Sequence, residues 1–501
     1  MSEKVRSTNR SKKTRASIEP VNTTVVADEG LGAVTPPVLT WADDPLSGYS
    51  PILVTVSNLA AGRLPIRILD PAPPPREYAV GTAEFRYWAA AAALSRGIDF
   101  WDRILPSGVT WRTGPQLPVA LDISQNFGSA YLRQSGLEFY HESGAGRTIF
   151  TSESPDLVCH ELGHAILDTI RHEIYGVAAY EQAAFHEAFG DVSALLCALQ
   201  VPQVRTAVLA ETDGRLNRDS RLSRIGESLG WLLNQRYGMS WSPHYLRNAA
   251  NSFDYQPPSS RPRTGPYTVL TSEPHNFCRV FTGAFLEMLS GIVQVISSQP
   301  HERALQEATF IAAHLLVAAV RTAPVTTAYF SQVAAHLVGH AGSEATPSAI
   351  RERLVSVVSS AFVRRGILSV QSAGGVRHLA SIANGHAAIE TEELPLVPVN
   401  GNLLGLGHHQ LFVRMPLEDH GQTDVRPTGI NVEEAPPHDV EQAVYRFLEY
   451  LLSRGQLDIG ELGDNVVGLA HPDIFKTHTL VAREQGICVE RLAFNCGFDH
   501  P

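Results

Sequence analysis

Residues 156–168 read Asp-Leu-Val-Cys-His-Glu-Leu-Gly-His-Ala-Ile-Leu-Asp. On a helix, residues four apart are rotated by about 40° and separated by about 6 Å along the axis. His160 and His164 therefore present two imidazoles from one face, as a tetrahedral zinc ion requires. Glu161 is turned by about 100° from His160, beside a metal without ligating it. That is the place for a general base acting on a water whose pKa the metal lowers toward about 7. A second helical run, Phe185-His-Glu-Ala-Phe-Gly-Asp-Val192, offers Glu187 and Asp191 at i and i+4. One carboxylate can complete a His2Glu set while the other accepts a hydrogen bond from a ligand imidazole. The bland alternative is two amphipathic helices that carry unrelated His, Glu and Asp residues.

With both motifs in this order, the chain resembles the thermolysin family of gluzincin metallopeptidases. The resemblance implies an endopeptidase holding one Zn2+ through His160, His164 and Glu187, with Asp191 orienting His160 and Glu161 serving as base. Tyr175, eleven residues beyond His164, matches the family's oxyanion-stabilising tyrosine. His275, in Pro274-His-Asn276 ahead of Gly283-Ala-Phe285, matches its second oxyanion donor. Asn126-Phe-Gly-Ser-Ala-Tyr-Leu132 resembles the edge strand that pairs with the substrate backbone, with Ser129 and Ala130 at the binding positions. Arg247, in Tyr245-Leu-Arg-Asn248, matches the arginine that holds a substrate carbonyl. The resemblance spans residues 80–368. Three departures stand out. His186 replaces the usual asparagine, and Glu273 is the nearest carboxylate to His275 where the family has an aspartate. Asp156 matches a Ca2+-site position, but Ala198 stands near another of its carboxylate positions, so calcium is supported by one residue and opposed by another.

The elements needed to hold these groups imply a mixed α+β protein. It would have a β-rich N-terminal lobe, a helical C-terminal lobe, and the zinc-binding helix at the cleft between them. Residues 1–37, with six Lys/Arg in the first fifteen and then Pro36-Pro37, read as a disordered basic tail. Residues 38–190 form the first lobe: short strands up to Ile68, a helix over 82–105 bent or broken near Gly97, and strands near 118–122 and 137–140. Residues 191–368 form the second, with apolar-periodic helices near 303–321, 327–340 and 347–364. Residues 369–501 change texture, with Gly/Pro-rich loops, a strand at 410–414 and an amphipathic helix over 440–454. They read as an additional α/β module of unassigned role.

Composition narrows the partners. A formal charge of −11 argues against nucleic acid as a partner. The five cysteines lack CxxC spacing, and Cys159 and Cys197 lie in apolar helical contexts that suit buried thiols. The N-terminus has no apolar signal core, and the apolar run at 308–320 contains His314 and is short for a bilayer. The expectation is a cytoplasmic protein without a membrane span, with signal-independent export the alternative, acting on a peptide or protein substrate. His172 and His186 are expected to support the site or lie on the surface. His314, His336, His340, His408 and His409 are expected to be structural. Two further functional readings stay open. One is an aminopeptidase of the same zinc class, although no motif assigns a carboxylate to a free amine. The other is a catalytically latent zinc-containing binding protein that recognises partners through 369–501.

Overall fold

The computed structural model describes residues 35–240, 243–374, 394–417, 425, 427, 440–460 and 475–496. The basic tail expected over 1–37 lies outside the described residues as far as residue 34. The chain is mixed α+β. Strands β1 (Val38–Thr40), β2 (Ile52–Val54) and β3 (Ile66–Ile68) lead to helix α1 (Ala83–Asp102). Thr82 starts α1 by accepting a hydrogen bond from the Phe85 amide. Of the bend or break expected near Gly97, the break is absent: the helix is continuous there. This glycine serves packing, because a Cβ there would come within 2.6 Å of the Leu162 side chain.

Next come β4 (Leu117–Ala120), β5 (Ser129–Leu132), β6 (Gly136–Phe139) and the hairpin of β7 (His141–Gly144) and β8 (Arg147–Phe150). Helices α2 (Pro155–Ile170), α3 (Tyr180–Ala198) and α4 (Pro202–Thr212) follow, then β9 (Arg224–Ile225), α5 (Glu227–Tyr237) and β10 (Arg247–Asn248). Four long helices come after these: α6 (Pro274–Ile296), α7 (Glu302–Thr322), α8 (Tyr329–Ala341) and α9 (Ser348–Arg364). The last three coincide with the apolar-periodic segments of the sequence. The chain then contributes β11 (Leu396–Asn400), β12 (Gln410–Arg414), α10 (Val440–Ser453), β13 (Leu457–Asp458), β14 (His478–Arg483), β15 (Gly486–Arg491) and β16 (Ala493–Asn495).

Two five-stranded sheets organise these elements. The first has the order β16-β5-β6-β4-β3, and the second the order β11-β12-β15-β14-β13. In the first, β5 is antiparallel to β6, and β4 is parallel to both β3 and β6. Its edge comes from far along the chain: β16 pairs antiparallel with β5. The second sheet and α10 share a core of their own, in which Phe447 and Tyr450 meet Tyr180 and Ala183 of α3.

The main core lies around α2, α3 and α6. Ser154 caps α2 by accepting from the Leu157 amide, and Pro155 and Asp156 occupy its first turn, where a missing N–H and a negative charge are both favourable. Two glycines bring α2 and α3 into close contact. A Cβ on Gly163 would lie 2.7 Å from Ser193 Cβ, and one on Gly190 would lie 2.6 Å from the His160 ring. Phe185 meets Phe281, Tyr329 and Phe330, fixing α3 against α6 and α8. By length and composition α6 and α7 are apolar enough to cross a membrane, so the apolar helices are longer than the 308–320 run alone indicated. In the fold, 78% and 61% of their most apolar windows are buried within the protein.

Candidate metal centre

Helix α2 carries His160, Glu161 and His164, and α3 carries Glu187 and Asp191. The close approach allowed by Gly163 and Gly190 brings the two motifs together. His160, His164 and Glu187 form a buried group that could hold a metal ion, with one ligand atom from each lying within 4.8 Å of the others. The Nε2 atom of His160 lies 3.3 Å from Glu187 Oε2, and that of His164 lies 3.7 Å from Glu187 Oε1. On the far side of the first imidazole, His160 Nδ1 donates to Asp191 Oδ1 at 3.1 Å. This contact selects the tautomer that leaves Nε2 facing Glu187.

Among the described residues, four buried atoms at this point have no hydrogen bond of good geometry: Nε2 of His160, Nε2 of His164, Oε2 of Glu187 and Oε2 of Glu161. Glu187 Oε2 nevertheless stands 3.3 Å from the Nε2 atoms of both His160 and His275. A buried polar group without a good hydrogen bond costs about 1–3 kcal/mol, so the His160, His164 and Glu187 atoms, within 4.8 Å of one another, mark a place suited to a further bonding species. The two imidazoles are shifted in opposite directions. Burial lowers the pKa of His160, yet the nearby Asp191 and Glu187 carboxylates raise it to about 9. Burial and the neighbouring charge of His160 hold His164 well below its ordinary value, keeping that imidazole neutral and free to ligate. Burial pushes Glu161 up to about 7, against the lowering effect of His160.

Arg247 on β10 is buried and donates to Asp191 through Nε, at 2.8 Å to Oδ1, and through Nη2, at 2.7 Å. Burial opposes ionisation of Asp191, but the Arg247 guanidinium and the His160 hydrogen bond carry it down to about 2. The remaining Nη1 of Arg247 is buried without a partner.

His275 stands at the start of α6. Glu273 caps that helix by accepting from the His275 and Asn276 amides, and its Oε1 also takes the His275 Nδ1 at 2.6 Å. Glu273, already the nearest carboxylate in the sequence and one methylene longer than an aspartate, thus makes this contact. Burial lowers the pKa of His275, but Glu187 and Glu273 raise it to about 10. Its Nε2 is 3.3 Å from Glu187 Oε2.

Tyr175 lies in a short 3-10 turn, His172–Gly176, where the Arg133 guanidinium sits 4.0 Å above its ring. Arg133 is itself fixed by Asp168, which also accepts from the Tyr131 hydroxyl at 2.7 Å. Ser129, on β5, donates to Glu161 Oε1 at 2.9 Å.

All ten residues singled out for the site therefore lie on elements that meet around the His160–His164–Glu187 group. Sequence reasoning missed what faces them. Tyr175 donates to the Leu492 carbonyl at 2.9 Å, and His275 Nε2 donates to the Asn495 carbonyl. Ala130 stands opposite Asn495 in the β5–β16 ladder. The Phe494 ring stacks on His186 at 3.9 Å and on His164 at 4.9 Å. His186 is fully buried, with Nδ1 3.4 Å from Nδ1 of His164, so it belongs to the site and not to the surface.

A second buried group, Asp44, Asp156 and Glu227, could also hold a metal ion, and it contains the residue that suggested calcium. Asp44 is already saturated there, accepting from Leu46, from Ser154 and twice from Ser228. Burial raises Asp44 to about 6, and burial together with the neighbouring carboxylates raises Asp156 and Glu227 well above the usual carboxylate range. No protein-family model matches this chain, and no curated protein does either.

Proposed function

We propose that the protein is a zinc-dependent metalloendopeptidase. The observation that carries this reading is the buried His160–His164–Glu187 group, whose ligand atoms lie within 4.8 Å of one another, with Glu161 next to His160 on the same helix. Two imidazoles and one carboxylate form a donor set typical of catalytic zinc. When bound there, zinc acidifies water and polarises the carbonyl to be cleaved. Glu161 takes the proton of the attacking water and returns it to the leaving amine, a task suited to a carboxyl raised to about 7. The Tyr175 hydroxyl and the His275 Nε2–H donate to the oxyanion that develops on the substrate, and Glu273 keeps His275 protonated for this. Arg247 orients Asp191 and has its Nη1 left over for a substrate carbonyl. A substrate would lie extended along β5, in a cleft between a β-rich lobe and a helical lobe, adding its backbone to Ser129 and Ala130.

The test is Glu161→Gln. The variant should keep one zinc per chain by elemental analysis while losing about 100–10,000-fold of chelator-sensitive peptide cleavage. Cleavage retained by the purified variant would rule the mechanism out. A second reading is favoured by one observation, the strand already seated against the site. On that reading the protein holds zinc but is catalytically latent.

A further inference from the structure

The groups assigned above to a substrate are occupied by the protein's own residues 492–496. Strand β16 adds antiparallel to β5 in the register Ala493↔Leu132, Phe494↔Tyr131 and Asn495↔Ala130. The Cys496 amide continues the ladder by donating to the Ser129 carbonyl at 2.9 Å. This is strand addition to a sheet edge, the way an extended peptide binds such a surface. The side-chain contacts match. Phe494 is buried, with one face stacked on His186 and His164 and the Arg491 guanidinium 4.1 Å from its centroid. Cys496 Sγ lies 2.8 Å from Ser129 Oγ, which bonds Glu161. The cavity left between this strand, Glu187 and His275 measures about 30 Å3, room for a water or two and too small for a peptide side chain.

The same contacts explain why the segment can sit there without being cut. Tyr175 donates to the carbonyl of Leu492 and His275 to that of Asn495, three residues further on. No single peptide carbonyl receives both oxyanion donors, so no bond of the segment is presented for attack. The strand is also held from behind. Only Leu492 separates it from β15, whose partner β14 packs in the second sheet, and the Leu492 amide donates to Thr477.

Resting on the peptidase reading, we propose that residues 492–496 are a built-in, substrate-like inhibitor of the cleft, and that hydrolysis requires this strand to leave β5. Catalysis is then limited by the fraction of molecules with the strand displaced.

The experiment uses the full, zinc-loaded chain as wild type, Phe494→Gly and Phe494→Pro. Each is assayed for cleavage of an internally quenched peptide library and for binding of a fluorescent Leu-Ala-Phe-Asn-Cys peptide. The expected result is at least about ten-fold faster cleavage by both variants, which bind the peptide where the wild type does not. A wild type that cleaves and binds as well as the variants overturns the inhibitor while leaving the peptidase standing. Variants that alone bind the peptide, with no cleavage by any form, uphold the occupied cleft and defeat the peptidase instead. Absence of both binding and cleavage in every form overturns the inhibitor. Should neither variant unfold cooperatively, hydrogen exchange in the wild type decides. Slow exchange of the Cys496 amide upholds the pairing, and exchange at the rate of an unpaired segment overturns it.

Discussion

Asp191 serves two partners at once, the His160 Nδ1–H and the Arg247 guanidinium, and all three are buried. Replacing it with alanine removes the anchor of His160 and strands a guanidinium charge in the interior. Zinc affinity should fall by about 10–100-fold, read by competition with a chromophoric chelator. The unfolding free energy should fall by about 3–5 kcal/mol in denaturant titrations. An affinity equal to wild type would remove Asp191 from the support of His160. At this scale the sequence was most informative. His160, Glu161, His164, Glu187 and Asp191 declare themselves because helical spacing is local. Glu273 was noticed only as the nearest carboxylate, since the extra methylene breaks the expected pattern while the helix cap restores the contact. Phe494 and Cys496 were not legible at all. The Ser129–Cys496 contact spans 367 positions, and no short-range pattern encodes it.

Helix α3 enters the core with a carboxyl in its first turn. Glu181 accepts from the Phe330 amide at 2.8 Å and from the Tyr255 hydroxyl at 2.5 Å, tying α3 to the start of α8. Burial raises its pKa from 4.5 to about 7, partly offset by these two donors. A folded pKa above the unfolded one means that the native state binds the extra proton between those limits. The stabilisation is therefore fully present below about pH 4.5 and is lost as the pH rises through about 7. Glu181→Gln should flatten that part of the stability–pH curve by an amount on the order of 3 kcal/mol. Denaturant melts at several pH values provide the slope, and an unchanged slope would show that Glu181 does not titrate there. Among elements, α7, α8 and α9 were readable because their apolar residues recur with helical period. The β7–β8 hairpin was not, because His-Glu-Ser-Gly and Arg-Thr-Ile-Phe are mostly exposed or half-buried and show no alternation. Near Gly97 the sequence suggested a bend or a break in α1; the helix is continuous there, and the glycine leaves room for Leu162.

Across the whole molecule, the second sheet and α10 rest on the beginning of α3 through Phe447, Tyr450, Tyr180 and Ala183. This contact holds β14 and β15, and through them β16, over the candidate centre. Phe447 is buried and touches Tyr180, Tyr450 and His478, so Phe447→Ala should cost about 3–5 kcal/mol of stability. If β16 blocks the cleft, the same variant should cleave peptides faster than wild type below its melting temperature. Slower or equal cleavage would show that the contact does not hold the strand in place. The change of texture after residue 368 and the helix at 440–454 were both visible in the sequence. The destination of this stretch was not, because a three-residue strand carries too little pattern to name its partner.

The short strand β16 has one more effect, on how molecules treat each other. With it in place, the sheet ends in three residues, a stub that offers little for another chain to join. Without it, β5 would become the margin, with its amides and carbonyls free beside the His164 and His186 imidazoles that Phe494 covers. An opened molecule is then as ready to accept a strand from its neighbour as one from a substrate. Crowding would work against the open state's usefulness, and dilute solution would favour it.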